Sequence, residues 1–158
     1  MPRYAVLIDF VPISAGAAAG GYLVGDHIDA ELSFYPSTIP LRAQITTLKG
    51  GAEQSSERLN LPNERLCVSY ANYEYALAQL PWLGTIPLNF RSASVRRQGE
   101  QLYLYDDESE LSLPLHPSQA NHALPLASLD RLDGIGLWNG HEFTLAWAET
   151  QLGRWLRS

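Results

Sequence analysis

Cysteine and lysine are nearly missing from this sequence. Cys67 is the single cysteine among 158 residues, which excludes an intrachain disulfide and a zinc site made of several cysteines. Lys49 is the single lysine beside ten arginines, a bias that we attribute to genome base composition. No apolar run approaches about 18 residues, so the sequence contains no candidate membrane-spanning helix.

Basic residues are also fewer than acidic ones in this sequence. Asp and Glu number 17 against 11 Lys and Arg, which gives a net charge of −6. A chain of this charge repels phosphate groups, so we predict that nucleic acid is not its main partner. A local basic face built from Arg91, Arg96 and Arg97 is the feature that would reverse this prediction. The N-terminal segment lacks the long apolar region of a signal peptide, which predicts a cytoplasmic protein.

The hydrophobic pattern predicts a folded chain of the α+β class. Hydrophobic residues make up 46% of the sequence, which excludes disorder of the whole chain. We expect a β-rich single domain over residues 1–158, with a strand-helix-strand part at 1–48, one long amphipathic helix at 64–80 and an antiparallel β meander at 84–148. The helix is indicated by apolar residues at spacings of 4, 3, 4 and 3, namely Leu66, Tyr70, Tyr73, Leu77 and Leu80.

The ends of the predicted elements follow from local residue types. Asn63 is the expected N-cap of the helix and Pro81 its end. In the first part, alternating residues over 27–35 predict a strand with one buried face, a further strand is expected at 41–48, and residues 49–63 read as an exposed loop. Ser14 is the expected start of a short helix.

The C-terminal half contains the sharpest turn signal of the sequence. Asn139–Gly140 between two apolar runs predicts a hairpin with a type I′ turn, and Phe143, Leu145 and Trp147 are expected to face the core. Residues 116–126 are predicted to form a loop and residues 151–157 a short helix. An acidic group is interpreted as a solvated hairpin tip; it consists of Asp106, Asp107, Glu108 and Glu110.

No motif in the sequence specifies a catalytic site. Cys67 lies at the start of the helix, where the helix dipole lowers a thiol pKa and favours a nucleophile, although a core role is the interpretation we prefer. His116 and His122 share one loop and offer metal-binding or catalytic nitrogens, although solvated loop histidines are more common. We therefore predict no cofactor and no metal. Tyr75 points away from the apolar stripe of the helix and is a candidate partner-binding residue.

Three segments together resemble the C-terminal region of bacterial SWIM zinc-finger family proteins. They are VGDHIDAELSFYPSTIPLRA at residues 24–43, LAQLPWLGTIPL at 77–88 and DGIGLWNGHEFTLAW at 133–147. The SWIM motif itself, Cys-x-Cys followed by Cys-x-His, is absent, so no zinc function is carried over. Within the first segment Arg42 is the polar residue. Pairing with a buried carboxylate is the role that we prefer for it, and it is also a candidate partner-binding residue.

The resemblance implies a protein partner. Proteins of that family are associated with MoxR-type AAA ATPases and von Willebrand A-domain proteins, and a SWIM-bearing chain is a third candidate if this chain belongs to a split protein. We therefore expect a non-enzymatic protein-interaction or adaptor module in an ATPase-associated bacterial system. The alternative is a small-molecule-binding protein or an enzyme that uses Cys67 or the loop histidines.

Overall fold

The chain forms two compact units, residues 1–59 and residues 60–158. The computed structural model describes residues 6–7, 26–36, 42–50, 53–54 and 63–156. Mostly antiparallel sheets with few helices confirm the predicted β-rich α+β class. The expectation of one domain over residues 1–158 stays a prediction. Within the described residues, no helix combines the length and the apolar character needed to cross a lipid bilayer.

The described residues of the first unit form five short strands. They are β1 (Val6–Leu7), β2 (Asp26–His27), β3 (Ala30–Phe34), β4 (Arg42–Leu48) and β5 (Glu53–Gln54). Strand β4 pairs with β3 in antiparallel and with β1 in parallel orientation, and β2 pairs with β5. The expected loop at 49–63 is therefore wrong at residues 53–54, which form a strand. The helix expected from Ser14 lies outside the described residues.

The apolar face of β3 differs from the prediction. The alternation over residues 27–35 predicts a buried face, but Leu32 is 42% exposed and Phe34 is 52% exposed. Across the pair, Leu32 faces Ile45 and Ala30 faces Leu48, so one face of this hairpin is apolar throughout. Alternation fixes which side chains share a face of a sheet, but it does not fix whether another layer covers that face.

The second unit is built from one long helix and a six-stranded sheet. Its elements are α1 (Leu66–Gln79), β6 (Ile86–Gln98), β7 (Gln101–Asp106), β8 (Leu111–Pro114), α2 (Ala120–Ala123), β9 (Leu132–Trp138), β10 (Phe143–Thr150) and β11 (Gly153–Leu156). The strand order is β11-β10-β9-β6-β7-β8. Short 3₁₀ turns at Pro117–Gln119 and Leu124–Ser128 flank α2, so the loop predicted at 116–126 is wrong.

The sheet curls into a five-stranded barrel made of β6 to β10. Strand β6 changes partner along its length, from β9 in its first half to β7 in its second. The change occurs at an irregularity where Ser92 has a φ of 52° and its N–H donates to Asp133 Oδ1 at 2.9 Å. A parallel bridge between Leu115 and Phe143 brings the end of β8 to the start of β10.

Two glycines of β9 allow the interior of the barrel to pack closely. A Cβ at Gly136 would lie 2.3 Å from the ring of Phe143, and a Cβ at Gly134 would lie 2.5 Å from the ring of Phe90. The two phenyl rings meet edge to face at 6.1 Å. The predicted core positions of the last hairpin, Phe143, Leu145 and Trp147, are confirmed as buried.

The turn of that hairpin is longer than predicted. Trp138 pairs with Phe143, so the loop has four residues, Asn139–Glu142, instead of the two of a type I′ turn. Asn139 Oδ1 accepts the N–H groups of His141 and Glu142, each at 2.8 Å, and only Gly140 among the loop residues has a positive φ. The helix expected at 151–157 is also wrong. Gly153, at a φ of 123°, instead turns the chain into β11, which pairs with β10.

Candidate functional site: the outer face of helix α1

Helix α1 packs on the barrel through one face. Its buried residues are Leu66, Ser69, Tyr73 and Ala76. The rings of Tyr70 and Tyr73 lie 6.0 and 6.5 Å from the ring of Trp138, which holds the helix against the end of β9. Burial raises the pKa of the Tyr70 hydroxyl, and the nearby Glu74 carboxylate raises it further. The helix is present where the apolar spacing predicts it, with bounds at Leu66 and Gln79.

The start of the helix is held by a carboxylate from a distant strand. Arg65 is the N-cap residue and its side chain makes no capping hydrogen bond, so the prediction of Asn63 as the N-cap is wrong. Instead, Asp106 at the end of β7 is 1% exposed and accepts the N–H of Cys67 at 3.4 Å. The guanidinium of Arg65 forms ion pairs with Asp106 and with Glu108. Asp106 is therefore a buried structural group, which corrects its interpretation as part of a solvated tip.

The opposite side of α1 carries apolar residues that are exposed to solvent. Val68, Ala71, Tyr75 and Ala78 follow one another at spacings of 3, 4 and 3, so they share one face of the helix. We call these four residues the outer stripe. Val68 is 47% exposed and Tyr75 is 66% exposed, and Trp82 in the turn after the helix is 80% exposed. Ala71 and Ala78 are exposed as well.

The outer side of α1 also lacks charge. Glu74 is the only charged residue among the 14 residues of the helix. A surface helix of a globular protein normally carries charged residues on its solvent side, and a helix that is apolar all round is normally buried. The outer stripe therefore has the composition of a covered face while being open to solvent.

The two candidate partner-binding residues lie in different units. Tyr75 occupies the centre of the outer stripe, as its position off the core stripe predicts. Arg42 begins strand β4 of the first unit and its side chain is exposed. Both roles of Arg42, contact with a partner and pairing with a carboxylate, stay predictions.

Cys67 does not lie in a catalytic arrangement within the described residues. It is half-buried at the second helical position, and its backbone N–H, not its thiol, contacts Asp106. The sequence position alone indicated an electropositive helix start, but it did not reveal that Asp106 from β7 neutralises that start.

His116 belongs to a hydrogen-bonded chain that sequence reasoning did not find. Its Nδ1 lies 2.8 Å from Ser118 Oγ and accepts the Ser118 N–H at 3.2 Å, while its Nε2 lies 3.5 Å from Glu142 Oε2. Nδ1 therefore caps the 3₁₀ turn that begins at Pro117, while Nε2 faces the carboxylate of Glu142. His122 is exposed on α2, and its carbonyl accepts the indole N–H of Trp155 at 3.1 Å.

The three arginines of the possible basic face have partners within the chain. Arg96 forms an ion pair with Asp107 and lies over the ring of Tyr105 at 3.8 Å. Arg97 donates to the carbonyl of Gly99 at 2.7 Å, and Arg91 donates to the side chain of Asn63. Arg96 is thus accompanied by an acidic side chain, while neutral groups accept the hydrogen bonds of Arg91 and Arg97. The neutralisation of Arg96 does not favour phosphate binding.

The described residues contain no group of three or more His, Cys, Asp or Glu side chains arranged to hold a metal ion. Comparison of the chain with protein-family models, with curated proteins and with solved structures finds no match. The outer stripe is therefore the feature of the second unit that most needs a functional explanation, because its composition contradicts its exposure.

Proposed function

We propose that this chain is a non-enzymatic protein-interaction module and that the outer stripe of α1, with Trp82, is its binding surface. One observation carries the proposal: a 14-residue helix with a single charge leaves Val68 and Tyr75 open to solvent. Apolar patches of this kind on a folded protein mark interaction sites. The proposal assigns no chemical step to any residue.

The residue types on this surface suit binding. Tyr and Trp dominate the energetics of protein interfaces because they bury a large area with few rotatable bonds. Tyr75 and Trp82 are the two large aromatic residues of this surface, and the small Ala71 and Ala78 allow a partner's backbone to approach closely. Helix-in-groove and helix-pairing interfaces use anchors at this spacing.

The resemblance to the C-terminal region of SWIM family proteins suggests which proteins bind this module. On that analogy the partner is a MoxR-type ATPase, a von Willebrand A-domain protein or a SWIM-bearing chain, and the module acts as an adaptor in the cytoplasm. The exposed Arg42 of the first unit is a second candidate contact in the same assembly. An enzyme that uses Cys67 or His116 is supported less well, because Asp106 and the 3₁₀ turn already account for their contacts.

Affinity purification from the native cell tests the proposal. The tagged chain is purified alongside Tyr75→Glu and Leu152→Glu variants, and the proteins recovered with it are quantified by mass spectrometry. Leu152 is the matched control, since it is 85% exposed in the turn before β11 and the same charge is introduced there. We expect at least one stoichiometric partner that Tyr75→Glu reduces about tenfold or more and Leu152→Glu retains. Equal recovery with both variants would refute the assignment of the surface.

A further inference from the structure

We propose that Asn139 is a site of spontaneous covalent modification, at which the backbone nitrogen of Gly140 attacks the Asn139 side-chain amide. The amide is converted into a succinimide and then into aspartate and isoaspartate. This modification is independent of the proposed function, because it concerns the loop between β9 and β10 and needs no partner. Three observations carry it: the Asn-Gly sequence, the exposure of Asn139, and the hydrogen bonds of its side chain.

The reaction has two steps and takes only water from outside the chain. In the first step the Gly140 nitrogen gives up its proton and bonds to Asn139 Cγ, while the bond from Cγ to Nδ2 breaks and ammonia leaves with that proton. In the second step one water molecule opens the five-membered ring. Opening at Cγ gives aspartate. Opening at the backbone carbonyl of residue 139 gives isoaspartate, in which the main chain runs through Cβ and Cγ.

Gly140 is the residue type that leaves the attacking nitrogen accessible. A side chain at this position would shield the nitrogen, and glycine has none. Gly140 has a φ of 95°, which other residues rarely adopt, and a Cβ built there would lie 3.2 Å from the hydroxyl oxygen of Tyr73. The fold therefore favours glycine at this position, and the reactive Asn-Gly pair follows from that requirement.

The loop is open to water while its two ends are fixed. Asn139 is exposed and Gly140 is half-buried. Trp138 and Phe143 are both buried, and they pair with each other across the ends of the loop. Solvent thus reaches the reacting amide in the folded chain, and no unfolding of the barrel is needed for the reaction.

The hydrogen bonds of Asn139 Oδ1 favour the attack on Cγ. The attack moves negative charge onto Oδ1, and the N–H groups of His141 and Glu142 already donate to this oxygen, each at 2.8 Å. Donors held in place stabilise a developing oxyanion more strongly than they stabilise the neutral amide, and so they lower the barrier. The loop therefore supplies the nucleophile, the electrophile and the oxyanion donors from four consecutive residues.

The modification changes both the charge and the main chain of the loop. Either product carries one more negative charge than the parent chain, whose net charge is −6. Isoaspartate also adds one main-chain atom between Trp138 and Phe143, which pair across the loop. Because the loop approaches the Tyr73 hydroxyl at Gly140, the longer main chain is expected to disturb the contact between the loop and α1.

Peptide mass spectrometry of the full chain, incubated folded at neutral pH and sampled over time, tests the inference. Fragmentation of the peptide that contains residue 139 distinguishes aspartate from isoaspartate. Asn63 is the control within the same chain, since it is exposed outside a helix but precedes Glu64, whose side chain shields the backbone nitrogen. We expect Asn139 to react about tenfold faster than Asn63 or more, and at least as fast as in the same chain unfolded in urea, where the two donors are absent.

Two variants check the assignment of the reacting atoms. Asn139→Gln keeps an amide but moves it one methylene further from the Gly140 nitrogen, and it is expected to abolish the acidic species seen by isoelectric focusing. Gly140→Ala shields the nitrogen and is expected to slow the reaction about tenfold or more, with circular dichroism confirming that the variant is folded. An acidic species that Asn139→Gln leaves in place would overturn the inference. So would an Asn139 that stays intact in the folded chain while it reacts in urea.

Discussion

The side-chain amide of Gln119 pairs with the backbone of Leu145 as a neighbouring strand would. Its Nε2 donates to the Leu145 carbonyl at 2.6 Å, and its Oε1 accepts the Leu145 N–H at 2.7 Å. Both residues are buried. Next to this pair, the N–H of His116 donates to the carbonyl of Phe143 at 2.9 Å. These contacts satisfy backbone groups of β10 that the short strand β8 does not reach, and they close the barrel at this point.

The variant Gln119→Met therefore leaves two buried backbone groups of Leu145 without partners. Each such group costs about 1–3 kcal/mol, so we expect the free energy of unfolding to fall by about 2–5 kcal/mol. Urea denaturation followed by circular dichroism measures the change. The control Asn121→Met lies on the exposed side of α2 and is expected to change stability by less than about 0.5 kcal/mol. Equal stability of the two variants would contradict this role of Gln119.

The variant Gly136→Ala tests the close packing inside the barrel. The added methyl group would lie 2.3 Å from the Phe143 ring and 2.6 Å from the Thr144 carbonyl, so the strands must shift. We expect a loss of at least about 1–3 kcal/mol of stability, as for other overpacked cores. The control Gly84→Ala meets no atom within 4 Å and is expected to fold as the parent does. A neutral Gly136→Ala would show that the interior is looser than described.

The variant Asp106→Ala tests the coupling between β7 and the start of α1. It removes one of the two carboxylate partners of Arg65, the buried one, and the acceptor of the Cys67 N–H. Breaking a buried pair costs about 3–5 kcal/mol, and because Arg65 is 28% exposed we expect a loss of about 2–3 kcal/mol. The control Asp107→Ala removes a carboxylate that is half exposed and is expected to cost less than about 1 kcal/mol. Similar losses in both variants would argue against the cap.

The variant Arg42→Ala separates binding from folding in the first unit. Its side chain is exposed at the start of β4. We therefore expect the free energy of unfolding, measured by thermal denaturation, to change by no more than about 0.5 kcal/mol, as for other surface substitutions. We expect the amount of co-purified partner to decrease. Loss of cooperative unfolding in this variant would instead make Arg42 a structural residue.

Periodicity in the sequence was sufficient to locate α1 and the two strands on either side of the Asn139–Gly140 turn. The apolar spacing of Leu66 and Tyr73 identifies the packed face of the helix, and the alternation at Phe143 and Leu145 identifies the inner face of β10. Both patterns follow from the repeat of a single helix or strand, and this repeat does not depend on the rest of the fold.

Contacts between residues that are far apart in the sequence produce no such periodic pattern. Asp106 lies 39 residues from the Cys67 N–H that it accepts, and Gln119 lies 26 residues from Leu145. A single Asp in an acidic run and a single Gln in a polar segment look like surface residues until the fold is known. The cap of α1 and the closure of the barrel were for this reason not predictable from the sequence.

The sequence also did not predict whether an apolar face is covered by another layer of the structure. The alternation in β3 predicted burial of its apolar face, but Leu32 and Phe34 are exposed. Hydrophobic spacing predicts which side chains share one face of a helix or strand. Whether another layer covers that face depends on the rest of the assembly. The outer stripe could have been found by noting that α1 contains one charge and two apolar faces.

Hydroxyl-radical footprinting measures most directly whether the outer stripe is a binding surface. Oxidation rates of Tyr75, Trp82 and Leu152 are compared between the native assembly purified from the cell and the same chain dissociated by dilution. We predict that assembly slows the oxidation of Tyr75 and Trp82 severalfold and leaves Leu152 unchanged, since contact excludes water from the stripe alone. Equal oxidation of Tyr75 and Trp82 in the assembled and the dissociated chain would contradict the proposed function.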